Sequence, residues 1–224
     1  MKLPCPTRPR TRNCAETCGH TTRVRITLSF DNGPVPGSTD RILDILGARR
    51  LRATFFALGK LAAEPEGRAL LERAKREGHW IGNHTMSHGT PLGLSRDPRH
   101  VENEIAAAER VLGDLALPER LFRPHGGGKL GEHLLSREAR EWLRERKYTV
   151  VTWNNVPGDW LEPRRGWVER ALQTAETQDW SLLVLHDPYL ADMMDTLPAF
   201  LDEVQRRGGT FAQEFPPSCV LISS

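Results

Sequence analysis

The sequence predicts an α/β fold in which parallel strands are covered by helices, and three observations carry that expectation. From residue 23 onward, short β-like runs alternate with stretches of helical spacing. The length of 224 residues suits one large domain. A composition of 38% apolar and 27% charged residues can bury a sizeable core and is not that of a disordered chain.

Residues 1–22 read as a flexible N-terminal arm of Pro, Arg, Thr and Asn without an apolar period, and residues 23–224 as a single domain. Residues 24–30 form the first expected strand, which runs into the turn signal Asp31-Asn32-Gly33-Pro34. Ser38 is placed to cap a helix whose apolar positions Ile42, Leu43, Ile45 and Leu46 share one face. A strand follows at 53–58, a helix at 68–77 stopped by Gly78, and a short strand at 80–83. Residues 101–115 have helical spacing, and 121–123 read as a strand ending at Pro124. A helix is expected at 132–146, a strand at 149–153, a helix at 167–177 and a wholly apolar strand at 182–185. The last helix spans 193–207, before a strand at 210–212. About seven strands are countable; a barrel-like closure and an open doubly wound sheet fit this pattern equally. No internal repeat or linker marks a domain boundary.

Charge narrows the function classes. Lys and Arg number 31 against 29 Asp and Glu, so neither nucleic acid nor a membrane surface is an expected partner. No apolar run approaches the ~20 residues of a membrane-spanning helix. The first residues lack the apolar stretch of a secretory signal, which makes the cytoplasm the expected address. Cys5, Cys14, Cys18 and Cys219 are too few and too uneven for a disulfide framework. Cys14, Cys18 and His20, with Cys5 upstream, can be read as a zinc knuckle. Their spacing departs from the usual pairs, and reduced thiols on a flexible arm are the preferred reading.

The polar residues at strand ends are more telling, because parallel α/β folds gather functional groups at the carboxyl edge. Those ends carry Asp31-Asn32, Asn83-His84, Arg123-Pro124-His125, Asn154-Asn155 and His186-Asp187. His84 and His88 lie four residues apart, one helical turn, so both can face one cation; two rim histidines are the plainer alternative. An oxygen ligand from the Asp31-Asn32 pair would complete a three-ligand set with an open position. Of that pair only Asp31 can act as a base, since an amide does not accept a proton near neutral pH. The same tetrapeptide is also good Asx-turn chemistry without function. Arg123 would orient Asp31 and keep it ionised, or form a rim salt bridge. The glycines from Gly126 onward allow backbone N–H groups close to an oxyanion, and no Lys-Ser/Thr pair follows to make a phosphate loop. His186 ends the most apolar strand as a candidate general acid, or as a buried structural histidine. Trp153 and Trp160 can wall a sugar-sized pocket or fill the core.

Taken in order, these residues resemble the NodB-homology polysaccharide deacetylases, carbohydrate esterase family 4. Leu28-Ser29-Phe30-Asp31-Asn32-Gly33-Pro34 is similar to the family's first motif, and the segment from Gly78 to His88 to its second, metal-binding motif. Phe122-Arg123-Pro124 is similar to the start of the third motif, Asp159-Trp160 to the end of the fourth and Leu185-His186-Asp187 to the fifth. The resemblance covers roughly residues 24 to 215, and five motifs in order are highly specific. It implies a distorted (β/α) barrel of about seven parallel strands and metal-dependent removal of acetyl groups from N-acetylated sugars. By position, Asp31 matches the catalytic base, Arg123 the arginine that steadies it and His186 the general acid. His84 and His88 match the metal histidines, Leu185 the wall beside the acetyl methyl, and Gly126 the N–H facing the oxyanion. His125, Asp159 and Trp160 complete the expected substrate pocket.

Three departures qualify this picture. The family's metal-binding aspartate is Asn32 here, so one ligand charge is lost and metal should be held less tightly. The aspartate that pairs with the acidic histidine aligns with Val156, so the pKa of His186 is expected to fall unless Asp159 reaches it from another direction. The usual Pro-Tyr is His125-Gly126, which opens the pocket and adds an imidazole. The leading expectation is a hydrolase that removes N-acetyl groups from amino sugars of chito-oligosaccharide or polysaccharide type. It would use a divalent metal, zinc first, with cobalt, nickel or manganese as alternatives. A deacylase of an intracellular N-acylated small molecule and a carbohydrate-binding pseudoenzyme are the competing readings.

Overall fold

The nine residues Arg25–Gly33 form β1, buried over most of its length and the strand on which the sheet is organised. The computed structural model describes residues 24–127 and 131–222. The expected arm at 1–22, with Cys5, Cys14, Cys18 and His20, lies outside the described residues. β2 (Thr54–Ala57), β3 (Trp80–Asn83), β4 (Leu121–Phe122) and β5 (Thr149–Val151) follow beside β1 in chain order, while β6 (Trp180–His186) and β7 (Thr210–Ala212) pair back onto it. These seven strands run parallel, and β8 (Val220–Ile222) adds antiparallel to β5. Parallel strands covered on both faces are apolar almost throughout, as in the buried run of β6.

Closure decides between barrel and open sheet. Just past β5, the Asn155 N–H donates to Leu182 O at 3.1 Å, and the Val184 N–H donates to Asn155 O at 2.9 Å. This parallel bridge joins the chain leaving β5 to β6, at the far end of the strand order. The sheet therefore curls into the distorted barrel that the resemblance implies.

Outside it lie α1 (Thr39–Ala48), α2 (Gly59–Ala62), α3 (Pro65–Arg76), α4 (Ala107–Leu112), α5 (Arg137–Glu145), α6 (Trp167–Ala175), α7 (Asp187–Leu190) and α8 (Thr196–Arg206). Ile26, Leu28 and Phe30 of β1 pack with Ile42, Leu43 and Leu46 of α1 and with Leu197, Phe200 and Leu201 of α8. Among the described residues no helix is long and apolar enough to cross a membrane.

Several local expectations change. Ser38 does not cap α1; its hydroxyl donates to the Asp187 carbonyl at 2.6 Å and so ties the helix start to the end of β6. The helical stretch expected at 101–115 divides into a π-helical turn (Glu102–Ala106), α4 and a 3-10 turn (Gly113–Leu115). The helix expected at 132–146 begins only at Arg137, where the Ser136 hydroxyl accepts the Ala139 N–H at 3.2 Å.

Candidate active site

Asp31 and His186 are register partners on neighbouring strands, so their side chains leave the same face of the sheet. That face is the barrel interior, and both residues line a cavity of about 280 Å³. Val184, two residues before His186, faces the cavity with them. Leu185 does not. It pairs with Phe30 on the opposite face and sits with it in the helix-facing core, so the residue of β6 that faces the cavity beside His186 is Val184 and not Leu185.

Arg123 is wholly buried and reaches Asp31 from across the barrel. Its Nη1 donates to Asp31 Oδ1 and to Ser29 Oγ, both at 2.8 Å, and its Nη2 donates to Thr152 O at 3.1 Å. The guanidinium also lies 4.0 Å above the Phe56 ring. Burial alone would raise the Asp31 carboxyl, but Arg123, His84 and His186 outweigh it and hold it below the usual range. Asp31 is ionised, oriented and nearly inaccessible except from the cavity.

The two metal-type histidines are not brought together by a helical turn. β3 ends at Asn83, and the loop after it passes through left-handed backbone at Thr85 (φ 72°) and His88 (φ 57°). Asn83 Oδ1 accepts the Thr85 N–H at 2.9 Å, and the Gly59 and Lys60 N–H groups at the start of α2 hold the carbonyls of Thr85 and Met86, each at 2.9 Å. The rings of His84 and His88 end with centroids 5.3 Å apart. His84 Nδ1 donates to the Arg123 carbonyl at 2.8 Å, which leaves Nε2 as a bare acceptor 3.7 Å from Asp31 Oδ2. Burial pushes His84 down to about 3 and His88 down to about 4, so both imidazoles are neutral donors.

Asn32 also sits in left-handed backbone (φ 66°), and its Oδ1 is buried without a hydrogen-bond partner. An orphaned amide oxygen and a bare imidazole nitrogen at one cavity fit a cation. Among the described residues no three His, Cys, Asp or Glu side chains are placed to hold a metal ion, and the amide oxygen of Asn32 lines the cavity beside His84 and His88. His125 lines the same cavity; its Nε2–H donates to Gly89 O at 2.9 Å, and its ring lies 4.4 Å from that of His88.

His186 does have a carboxylate partner. Asp159, wholly buried, accepts from His186 Nδ1 at 2.9 Å and from the His186 backbone N–H at 2.8 Å. Burial works against the imidazolium, but the Asp159 hydrogen bond and charge outweigh it and raise the pKa of His186. The expected fall, drawn from Val156, is thereby corrected: Val156 is 40% exposed at the rim, and Asp159 supplies the charge. Trp160 stands edge-on to His186 at 5.0 Å, and Trp153 lines the cavity. Gly126 lines it too, at φ 127°, where a Cβ would also meet Leu134 at 2.3 Å.

Tyr189 lies outside the sequence reading, and Asp187, read there only as part of a polar strand end, takes a place of its own. Tyr189 lines the cavity one helical turn after His186, a spacing that could have shown it. Asp187 is buried behind β1: the Thr39 hydroxyl donates to its carboxyl, and Oδ1 has no partner. Burial pushes this carboxyl up to about 7, the Thr39 bond works against the rise and the charge of Asp31 adds to it. A larger cavity of about 660 Å³, beside Tyr148 and Glu109, includes none of Asp31, His84, His88 or His186.

Comparison with known proteins supplies a context for this geometry. A family model described as polysaccharide deacetylase matches residues 19–151. A chitooligosaccharide deacetylase from a Bradyrhizobium strain is 34% identical over 169 residues, spanning 72% of this chain and 70% of the relative. A peptidoglycan-N-acetylglucosamine deacetylase from Bacillus cereus is 29% identical, over 83% of this chain and 84% of that protein. Among solved structures, the Bc1960 peptidoglycan N-acetylglucosamine deacetylase superposes with a TM-score of 0.68 at 27% identity, covering 90% of each chain.

Proposed function

The chain belongs to the polysaccharide deacetylase family, and from that premise we propose that it hydrolyses the N-acetyl groups of amino sugars of chito-oligosaccharide or polysaccharide type. The observation that carries this reading is the pairing across one cavity of two titratable groups whose surroundings drive them apart. Arg123 favours the ionised form of Asp31, and Asp159 favours the protonated form of His186.

A divalent cation, zinc in this reading, would be held by Asn32, His84 and His88 and would supply Lewis-acid polarisation of the acetamide carbonyl and of water. Asp31 takes the proton from the attacking water as its oxygen bonds to the acyl carbon. Arg123 keeps Asp31 aimed and charged through that step. The Gly126 N–H meets the developing oxyanion, a contribution of about 3 kcal/mol for a well-placed donor. His186 then gives its proton to the nitrogen as the C–N bond breaks, leaving acetate and a free amine. Val184 provides the apolar wall for the acetyl methyl, while Trp153, Trp160 and Tyr189 offer ring faces to the sugar.

The test is acetate release from N-acetylated chito-oligosaccharides by zinc-reconstituted protein. Asp31→Ala and His84→Ala should each lower the rate at least about 100-fold, the scale of a lost acid–base or ligand group. The neutral ligand Asn32 favours one second reading, a carbohydrate-binding pseudoenzyme. Calorimetric binding of the same sugars without acetate release under zinc, cobalt, nickel or manganese would establish it. Release from monosaccharide amides alone would move the substrate to small molecules.

A further inference from the structure

His88 must present its ring from a loop of irregular backbone, in a left-handed conformation that a helix would not need (φ 57°). Beside the bonds from Asn83, Gly59 and Lys60 and the His88 N–H donated to Thr85 Oγ1 at 3.1 Å, that loop has a carboxylate anchor on the π-helical turn Glu102–Ala106, where Glu104 is only 8% exposed. Glu104 Oε2 accepts the Ser87 N–H at 2.9 Å, and Oε1 accepts the Ser87 hydroxyl at 2.6 Å. The same hydroxyl accepts the Gly89 N–H at 3.1 Å, so both chain neighbours of His88 are tied to one carboxylate. The turn is itself tied to the end of β3, since Asn83 Nδ2 donates to Ile105 O at 2.9 Å. Glu104 is thus held in register with the strand that delivers His84. An inserted π turn is a common device for aiming a side chain at a functional site, and here the side chain it aims is Glu104.

We propose that Glu104 is the positioning residue for His88, fixing through Ser87 the direction from which the second imidazole meets the cation. The inference rests on the metal-site reading above. With a neutral amide at Asn32, the site has less charge with which to draw in a cation, so affinity depends more on ligands that are already ordered. A loop that ordered only on binding would lose backbone entropy at that moment. Outer partners of this kind commonly change metal affinity 10–100-fold.

The experiment titrates metal-free protein with cobalt(II), reading both the dissociation constant and the visible absorption band. Wild type is compared with Glu104→Ala, Glu104→Gln and Ser87→Ala. Glu109→Gln serves as control, because Glu109 pairs with Tyr148 and Arg120 away from the loop. Glu104→Ala should weaken cobalt binding about 10–100-fold and alter the band. Glu104→Gln, which can still accept the Ser87 N–H, should recover most of both, and Glu109→Gln should leave both as in wild type. Thermal midpoints are measured alongside; if Glu104→Ala does not fold, Ser87→Ala decides, with a loss of about fivefold or more expected. The proposal is overturned if the folded Glu104 and Ser87 variants bind within about twofold of wild type, or if Glu109→Gln weakens binding as much. A wild type that shows no cobalt band overturns the metal-site reading itself, and that outcome is distinct from equal binding by wild type and variants.

Discussion

Asp187→Asn should stabilise the protein relative to wild type more at alkaline than at acid pH, the reverse of losing a carboxylate from an ion pair. The Asp187 carboxyl is buried and pushed up to about 7 from an ordinary 3.8. A raised folded value means that the folded state binds this proton more tightly. The stability it contributes is full below 3.8 and is lost as pH rises through about 7. At 1.36 kcal/mol per unit, the whole window amounts to about 4 kcal/mol, of which about 2 is already lost near pH 5. The amide does not titrate, so the difference between variant and wild type should move by about 2–3 kcal/mol toward the variant between pH 5 and pH 8.5. A fixed offset accompanies this. Wild-type Oδ1 has no partner, so the amide N–H group placed there is unsatisfied and costs about 1–3 kcal/mol at every pH. Urea unfolding of both proteins at the two pH values separates the offset from the slope. A difference that stays constant within about 0.5 kcal/mol would refute the argument that a protonated acid sits behind Asp31.

Two further outcomes follow from the site. Asp159→Asn removes the charge that raises the pKa of His186; the alkaline limb of the kcat/KM profile should move to lower pH and kcat should drop by about 100-fold, read from acetate release across pH. Asn32→Asp restores a charged ligand and should tighten zinc binding at least about tenfold in a competitive chelator titration, while Asn32→Ala should weaken it.

What was legible in the sequence was local. The strand that runs into Asp31-Asn32-Gly33-Pro34, the break at Gly78 and the polar residues at five strand ends are signals within a few residues of the structure they specify. Leu185 shows where such signals stop. β6 is apolar on both faces, so nothing alternates along it to show which residues face inward, and the parity became visible only from the pairing of Phe30 with Leu185. The His84–His88 spacing suits a helical turn and an irregular loop alike, and a threonine in left-handed backbone leaves no mark in composition. Asp159 was named as a pocket residue, but its bond to His186 spans 27 residues and depends on how the loop after β5 folds back. The antiparallel β8 was missed because three residues near the chain end are too short a run to announce a strand.

The backbone at Asn32 has a consequence for how such a site can change over time. At φ 66°, the position welcomes asparagine and aspartate and penalises most other side chains except glycine. Its alphabet is short, and its two main letters share one outline. A lineage can therefore pass between a charged and an uncharged anchor by exchanging an oxygen for an amino group. The turn keeps its shape, and the opposing base and acid are left in place.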